Sequence, residues 1–190
     1  MFERLLARIA GVLSKRKIPY MVIGGQAVLL YGEPRATRDI DITLGLGIEG
    51  LPQLLAALKA LKFRCLVPDA MDFARRTMVV PALDPASGIR VDFILSFSDY
   101  ERAAIGRARR IKLGRAFVRF ASLEDLVVHK MVASRPRDLE DVESVLLKNP
   151  EYDGVFIRDC LRDFDRSLDS ELAARFKTIE KDLRASRGKA

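Results

Sequence analysis

Six residues, Asp39 to Leu44, alternate polar and apolar side chains without a break. A period of two predicts a β-strand with one buried face, because successive side chains point to opposite sides of a sheet. Ile40, Ile42 and Leu44 form the apolar face. Asp39 and Asp41 therefore leave the other face side by side, where they repel each other unless they are solvated or share a cation. This strand predicts either a solvated polar face or a metal site.

A second segment, Ile89–Leu95, has an apolar face of Ile89, Val91, Phe93 and Leu95, while Arg90, Asp92 and Ile94 share its other face. If the two strands are neighbours, three carboxylates converge on one polar patch. The chain has a single histidine, so a histidine-rich metal site is excluded. Three carboxylates without histidine suit Mg²⁺ or Mn²⁺ rather than zinc. Taken alone, an Asp-x-Asp strand is more often a solvated face than a metal site.

A glycine pair precedes the first strand. Tyr20–Ile23 is a short apolar run that predicts a buried strand, and a short helix is expected from about Gly25 to Tyr31. A strand, the turn Gly24-Gly25 and a helix N-terminus can cradle a phosphate, because glycine lets the backbone approach closely and the first helical N–H groups are free. A double glycine is more commonly only a tight turn.

The remaining pattern predicts an α+β fold, with a mixed sheet flanked by helices and a helical C-terminal part. The expected core is residues 1–121, and residues 122–190 are expected to form a helical region packed on it. The further predicted elements are helices over Phe2–Leu13 and Leu51–Leu61, a strand over Thr77–Leu83, a basic hairpin of Arg109–Leu113 and Ala116–Phe120, and three or more helices from Leu123 onward.

The composition is that of a globular protein. Of 190 residues, 49% are hydrophobic and 31% are charged, which is neither disordered nor membrane-like. The N-terminal segment is amphipathic and contains Glu3, so it does not resemble a signal peptide. Cys65 and Cys160 lie far apart and are expected to be reduced thiols. These features predict a cytoplasmic location and no membrane partner.

The net charge of +7 is concentrated outside residues 151–190, which carry equal numbers of acidic and basic side chains. The stretch from residue 102 to residue 119 contains no acid. Such a patch suits a polyanion, although a solvated surface is the more common explanation. Phe117 lies between Arg115 and Arg119, a mixture on which single nucleic-acid strands stack, unless the ring belongs to the core. The basic residues of the stretch are Arg102, Arg107, Arg109, Arg110, Lys112, Arg115 and Arg119.

Several motifs occur in a characteristic order. The string runs from Gly24-Gly25-Gln26-Ala27 through Tyr31-Gly32 to Arg35-Ala36-Thr37-Arg38-Asp39-Ile40-Asp41, and Asp92, Lys130 and Arg137-Asp138-Leu139-Glu140-Asp141 follow. Across about residues 20–145 this order resembles the nucleotidyltransferase superfamily that includes polymerase β-like enzymes and aminoglycoside nucleotidyltransferases. It is most similar to the AbiEii-type nucleotidyltransferases, which are toxins of abortive-infection toxin–antitoxin systems.

The resemblance implies a polymerase β-like fold and Mg²⁺-dependent transfer of a nucleoside monophosphate from a nucleoside triphosphate to a hydroxyl of RNA or protein. Two Mg²⁺ ions, with Mn²⁺ as an alternative, are expected on Asp39, Asp41 and Asp92. A cognate antitoxin is a further expected partner. The implied catalytic residues are Asp39, Asp41, Asp92 and Lys130, and the implied nucleotide-binding residues are Gly24, Gly25, Arg35, Thr37, Arg38 and Asp138.

Two of these residues also have simpler explanations. Lys130 falls on the apolar stripe of its predicted helix, where a lysine commonly extends its amine to water. Under the resemblance it enters the site and neutralises triphosphate charge. Asp138 lies in the first turn of the next helix, where compensation of the helix dipole is a sufficient role. Under the resemblance it orients Lys130 or contacts the substrate.

Two other functions stay open. One is transfer to a small hydroxylated molecule such as an aminoglycoside, whose positive charge would suit the acids within residues 151–171. The other is a non-catalytic nucleotide-binding module that keeps the fold. The second is favoured by a departure from the superfamily pattern: Gly25 stands where many members carry a serine, so a hydroxyl able to bind phosphate is missing. Arg137 likewise stands where lysine is commoner.

Overall fold

Within residues 1–187, which the computed structural model describes, the strands form a mixed seven-stranded sheet. Their order across the sheet is β3-β4-β5-β2-β1-β7-β6. The pairs β1–β7 and β2–β5 are parallel, and the other neighbours are antiparallel. The strands are β1 (Tyr20–Ile23), β2 (Asp39–Leu44), β3 (Arg64–Cys65), β4 (Val79–Asp84), β5 (Ile89–Leu95), β6 (Arg109–Leu113) and β7 (Ala116–Phe120).

The chain forms two compact units. Among the described residues, the first contains residues 1–27 and 36–122, and the second contains residues 28–35 and 123–187. The first unit ends at Ser122 and residues 28–35 belong to the second, while the division of the chain into a catalytic core and a helical region after residue 121 stays a prediction. The sheet and its flanking helices, followed by a helical C-terminal region, confirm the predicted fold class.

Helices pack on the sheet through apolar stripes that the sequence spacing predicted. Leu5, Leu6, Ile9 and Leu13 are all buried along the first helix. A stripe recurring every three to four residues is what a helix needs to bury one side against a sheet. The helices of the N-terminal part are α1 (Phe2–Lys15), α2 (Gly24–Tyr31), α3 (Leu51–Leu61), α4 (Ala70–Thr77) and α5 (Asp99–Arg107).

The second unit is mainly helical. Val142, Leu146, Leu161 and Phe176 are fully buried and form its core. The carboxylate of Asp165 accepts hydrogen bonds from the backbone N–H groups of Leu172 and Ala173, which caps the last helix. Its C-terminal helices are α6 (Leu123–Ala133), α7 (Pro136–Lys148), α8 (Gly154–Leu168) and α9 (Leu172–Arg187). Among the described residues, no helix has both the length and the apolar character that a membrane crossing requires.

The main correction to the predicted elements concerns the segment before β4. The strand expected from Thr77 begins at Val79, because Thr77 ends helix α4 and Met78 turns into the left-handed region with φ 57°. Asp69 caps the start of this helix through the Asp72 N–H. Helix α5 was also not predicted. It begins with a reciprocal capping box between Ser98 and Glu101.

Candidate active site

The register of β2 and β5 gives three aspartates a common face. Asp41 pairs with Asp92 across the parallel strands, and Asp39 lies two residues before Asp41. Paired residues on neighbouring strands point to the same side of a sheet, as do residues two apart on one strand. All three aspartates are partly exposed. The sheet therefore presents Asp39, Asp41 and Asp92 together, as the alternation of the two segments predicted.

Arg90 belongs to the same face. It pairs with Asp39 across the strands, and its Nε donates to Asp92 Oδ1 at 2.8 Å. This hydrogen bond is the main reason that the pKa of Arg90 is raised; the charges of Asp92, Asp39 and Asp41 add to the rise, and burial opposes it. Arg90 thus supplies positive charge to a face that otherwise carries three carboxylates.

The donor chemistry of the three aspartates fits a hard divalent cation, because their side chains offer carboxylate oxygens. Nevertheless, no three His, Cys, Asp or Glu side chains within residues 1–187 are grouped so that they could hold a metal ion. The backbone register brings the aspartates to one face, and Asp92 is engaged by Arg90. Joint coordination would require the three side chains to turn towards one point and Asp92 to exchange Arg90 for the metal.

The glycine turn is built around Asp41. Gly24 has φ +63°, a backbone conformation that side chains rarely adopt. A β-carbon on Gly24 would lie 1.9 Å from Asp41 Oδ2. The neighbouring residue Ile23 pairs with Asp41 across β1 and β2. The N-terminus of α2 therefore lies against the Asp41 carboxylate.

The predicted nucleotide-binding residues around this turn have different surroundings. Gly25 is buried within the first turn of α2. Thr37 Oγ1 accepts a hydrogen bond of 2.7 Å from Nε2 of Gln26. Arg38, immediately before β2, is exposed.

In the second unit, an ion-pair network surrounds Lys130. Its Nζ lies 2.7 Å from Asp138 Oδ1 and 2.8 Å from Asp141 Oδ2. Arg135 Nε donates to the other oxygen of Asp138, and Arg35 makes two hydrogen bonds to Asp141. Cations and carboxylates thus alternate in the order Arg135, Asp138, Lys130, Asp141, Arg35. We call these five side chains the Lys130 network.

The centre of the Lys130 network is buried. Lys130 is 7% exposed, Asp138 2% and Asp141 4%. The simpler explanation in which Lys130 extends to water is therefore wrong. Burial alone would raise the pKa of Asp138, but the hydrogen bonds and charges of Arg135 and Lys130 hold it below its ordinary value. Asp138 contacts Lys130 directly, which is one of the two roles that the resemblance implied; contact with substrate stays a prediction.

The family model described as "Nucleotidyltransferase of unknown function (DUF6036)" matches residues 2–156. The chain belongs to this family. It is accordingly a nucleotidyltransferase, as the motif order predicted. The family match contains Asp39, Asp41, Asp92, Lys130 and Asp138. The family match does not show the closer similarity to AbiEii-type enzymes, which stays a prediction. No curated protein sequence matches the chain.

Solved structures of nucleotidyltransferases share the fold. The antibiotic-resistance factor ANT(2″)-Ia aligns with a TM-score of 0.59 at 18% identity, covering 99% of this chain and 97% of that one. An antigenic nucleotidyltransferase-like protein from Paracoccidioides brasiliensis aligns at 0.55 and 15% identity, covering 87% of each chain. A nucleotidyltransferase-like protein from Thermotoga maritima aligns at 0.51 and 18% identity, covering 73% of this chain and 88% of that one.

Two residues that form ion pairs in the aspartate face and in the Lys130 network were not predicted from the sequence. Arg90 was placed on the polar face of its strand, but its ion pair with Asp92 was not predicted. The signal was present, since residues two apart on a strand share a face. Arg135 was also missed. It lies three residues before Asp138, a spacing at which helical side chains meet.

Proposed function

We propose that this nucleotidyltransferase transfers a nucleoside monophosphate from a nucleoside triphosphate to a hydroxyl acceptor, using two Mg²⁺ ions bound by Asp39, Asp41 and Asp92. The observation that carries the proposal is the pairing of Asp41 with Asp92 on parallel strands, with Asp39 on the same face. When bound, the ions would activate the attacking hydroxyl and offset the charge of the triphosphate. Mn²⁺ has the same ligand preference and is the alternative ion.

In the proposed reaction, the acceptor oxygen forms a bond to the α-phosphorus. The bond from that phosphorus to the bridging oxygen breaks, and pyrophosphate leaves with the electron pair. Asp92 accepts the hydroxyl proton as general base. Arg90 holds Asp92 Oδ1, so this oxygen can accept the proton only after that hydrogen bond breaks.

The nucleotide would be bound by groups next to these aspartates. The backbone of Gly24 and Gly25 approaches the phosphates, and Arg38 is an exposed cation beside Asp39. Thr37 contributes to this segment through its hydrogen bond with Gln26.

Lys130, Arg35 and Asp138 enter the proposal differently. Both cations are already paired with buried carboxylates, and breaking such pairs costs several kcal/mol. We therefore assign them to the Lys130 network itself, whose three cations exceed its two carboxylates by one positive charge.

The acceptor that we propose is RNA or a protein, as for a toxin regulated by a cognate antitoxin. The net charge of +7 supports a polyanionic acceptor. The second candidate is a small molecule, because ANT(2″)-Ia has been solved in complex with adenylyl-2″-tobramycin, and that structure aligns at a TM-score of 0.51 and 18% identity, covering 97% of this chain and 98% of that one. A cationic aminoglycoside is disfavoured by the positive charge of this chain.

One assay separates these functions. The protein is incubated with Mg²⁺ and each nucleoside triphosphate labelled at the α-phosphate, together with total RNA, with its own polypeptide alone, or with aminoglycosides. Label on RNA or protein supports the first proposal, and label on an aminoglycoside supports the second. Absence of label from every acceptor, with nucleotide binding intact, would show instead a non-catalytic nucleotide-binding module.

A further inference from the structure

The hairpin of β6 and β7 carries an aromatic ring among cations on one side. In the register of the two strands, Arg110 is opposite Arg119, and Lys112 is opposite Phe117. Opposite residues share a side of the sheet, as do residues two apart. Arg110, Lys112, Phe117 and Arg119 therefore lie on one side, which we call the hairpin face.

Phe117 is not part of the core. It is 52% exposed, whereas Val118 and Phe120, which point to the other side, are buried. The hairpin thus packs through Val118 and Phe120 and leaves the Phe117 ring in water. The guanidinium of Arg110 lies over this ring, 4.7 Å from its centroid. An exposed ring with an arginine over it combines the two kinds of group on which unpaired bases stack.

The cations of the hairpin face are not balanced by acids. Arg110 and Arg119 are directly opposite, and like charges in such a pair destabilise a sheet. Among the described residues, no carboxylate forms an ion pair with Arg110 or Lys112. Arg119 donates to the backbone oxygen of Ile105. A bound polyanion would offset the repulsion between Arg110 and Arg119.

The hairpin face is on the same side of the sheet as the three aspartates. Ile23 of β1 pairs with Asp41, while Val22 pairs with Phe120 of β7. Because side chains alternate, Phe117 and Asp41 point to the same side. Two strand spacings and four residues of β7 separate them, which corresponds to on the order of 15 Å. A short flexible strand can span that distance along one surface.

We propose that the hairpin face binds single-stranded nucleic acid, with one base stacked on Phe117 and the adjoining phosphates on Arg110, Lys112 and Arg119. As the docking site of an acceptor, this surface rests on the proposed transfer reaction. The binding of single-stranded nucleic acid to the hairpin face does not depend on that reaction. It is therefore tested without Mg²⁺ or nucleotide, so that a failure of binding and a failure of transfer can be distinguished.

The test is the fluorescence anisotropy of a short labelled poly(U) strand titrated with the intact chain at several salt concentrations. Phe117→Ala is expected to weaken binding by about 5- to 150-fold, which corresponds to the 1–3 kcal/mol of one stacked base, with the salt dependence unchanged. Arg110→Gln with Lys112→Gln is expected to lower the slope of log K against log salt by about 1.4, since each phosphate contact on a single strand contributes about 0.7.

Matched controls remove the same groups elsewhere. Phe97→Ala deletes another exposed phenylalanine, which is 69% exposed, and Lys59→Gln with Arg75→Gln deletes two exposed cations. Both controls are expected to bind poly(U) within about 2-fold of wild type, because these positions lie outside the hairpin of β6 and β7 and their substitution leaves the contacts of the hairpin face intact. Thermal melting by circular dichroism verifies that every variant is folded.

Three outcomes would overturn the proposal. The first is no binding of poly(U) by the folded wild-type chain. The second is equal losses in the hairpin and control variants, which would indicate only diffuse attraction by the net charge. The third is a duplex of the same length bound as tightly as the single strand and unaffected by Phe117→Ala, because a base held in a duplex cannot stack on the ring.

Discussion

The carboxylate of Asp41 lies against the α-carbon of Gly24, so that a β-carbon at Gly24 would come within 1.9 Å of Asp41 Oδ2. Gly24→Ala is therefore expected to lower the free energy of unfolding by more than about 2 kcal/mol, since the left-handed backbone alone costs 1–2 kcal/mol. In an Asp41→Ala background the cost is expected to fall towards the backbone contribution, because of the Asp41 atoms close to the added carbon only the β-carbon, at 3.1 Å, remains. Urea unfolding of the double-mutant cycle measures this coupling.

The control is Gly11→Ala in α1, where a β-carbon would meet nothing within 4 Å. This change is expected to stabilise the helix by roughly 0.5–1 kcal/mol. If Gly24→Ala cost the same in both Asp41 backgrounds, the carboxylate would not be the obstacle.

Asp41 is the central ligand of the proposed metal site. Asp41→Asn removes one charge while keeping the shape of the side chain. The expected result is a fall in transfer on the order of 100-fold or more, because bound metal ions contribute several kcal/mol of transition-state stabilisation. Calorimetric titration with Mn²⁺ should show weakened binding in the same variant.

Asp72→Asn on α4 is the matched control, since Asp72 is exposed and pairs only locally with Arg76. It should match the wild type in both assays. Wild-type turnover in Asp41→Asn would refute the metal assignment.

Arg90 and a divalent cation compete for Asp92. Arg90→Gln frees the carboxylate, so Mn²⁺ should bind about 1.4- to 5-fold more tightly, in line with the roughly 0.2–1 kcal/mol typical of a partly exposed ion pair. The measurement is calorimetric titration without nucleotide, with Arg75→Gln as a control that removes an exposed cation elsewhere. Weaker Mn²⁺ binding in Arg90→Gln would mean that Arg90 holds Asp92 in place instead of competing for it.

Much of the fold could be predicted because burial is periodic. The stripe of α1 and the alternation of β2 each follow from one buried face, and the structure buries those residues. Helices α4 and α5 are short and contain few apolar residues, and each begins at a local cap, at Asp69 and Ser98. The two-residue strand β3 exists only through pairing with β4, which no local pattern encodes.

The candidate site likewise has one part that the sequence predicted and another that depends on tertiary contacts. Alternation placed Asp39, Asp41 and Asp92 on polar faces, but only the pairing of β2 with β5 brings those faces together. The ion pair between Arg35 and Asp141 joins residues 106 positions apart. Such a contact depends on tertiary packing, so the sequence predicted Arg35 as a nucleotide-binding residue without indicating its ion pair.

The Lys130 network yields a prediction about stability. Lys130→Met keeps much of the side-chain volume but leaves buried carboxylates with fewer cations. The free energy of unfolding is expected to fall by about 3 kcal/mol, as when one partner of a buried pair is removed. Lys148→Met is the control, because Lys148 pairs with the exposed Glu33 and such a pair contributes less than about 1 kcal/mol. If both variants lost the same free energy of unfolding, the buried Lys130 network would be no stronger than the exposed pair of Lys148 and Glu33.

The pH dependence of the free energy of unfolding distinguishes a loss of ion pairs in Lys130→Met from a loss of packing. The pKa of Asp138 is lowered in the folded chain by Arg135 and Lys130 despite burial. Its stabilising contribution is therefore complete above the unfolded-state pKa of about 4 and is lost as the pH falls through the lower folded-state pKa. Lys130→Met removes part of that contribution, so the gap in unfolding free energy between wild type and variant should narrow as the pH falls below about 4. Urea unfolding across this range measures the gap, and one that stays constant with pH would assign the loss to packing.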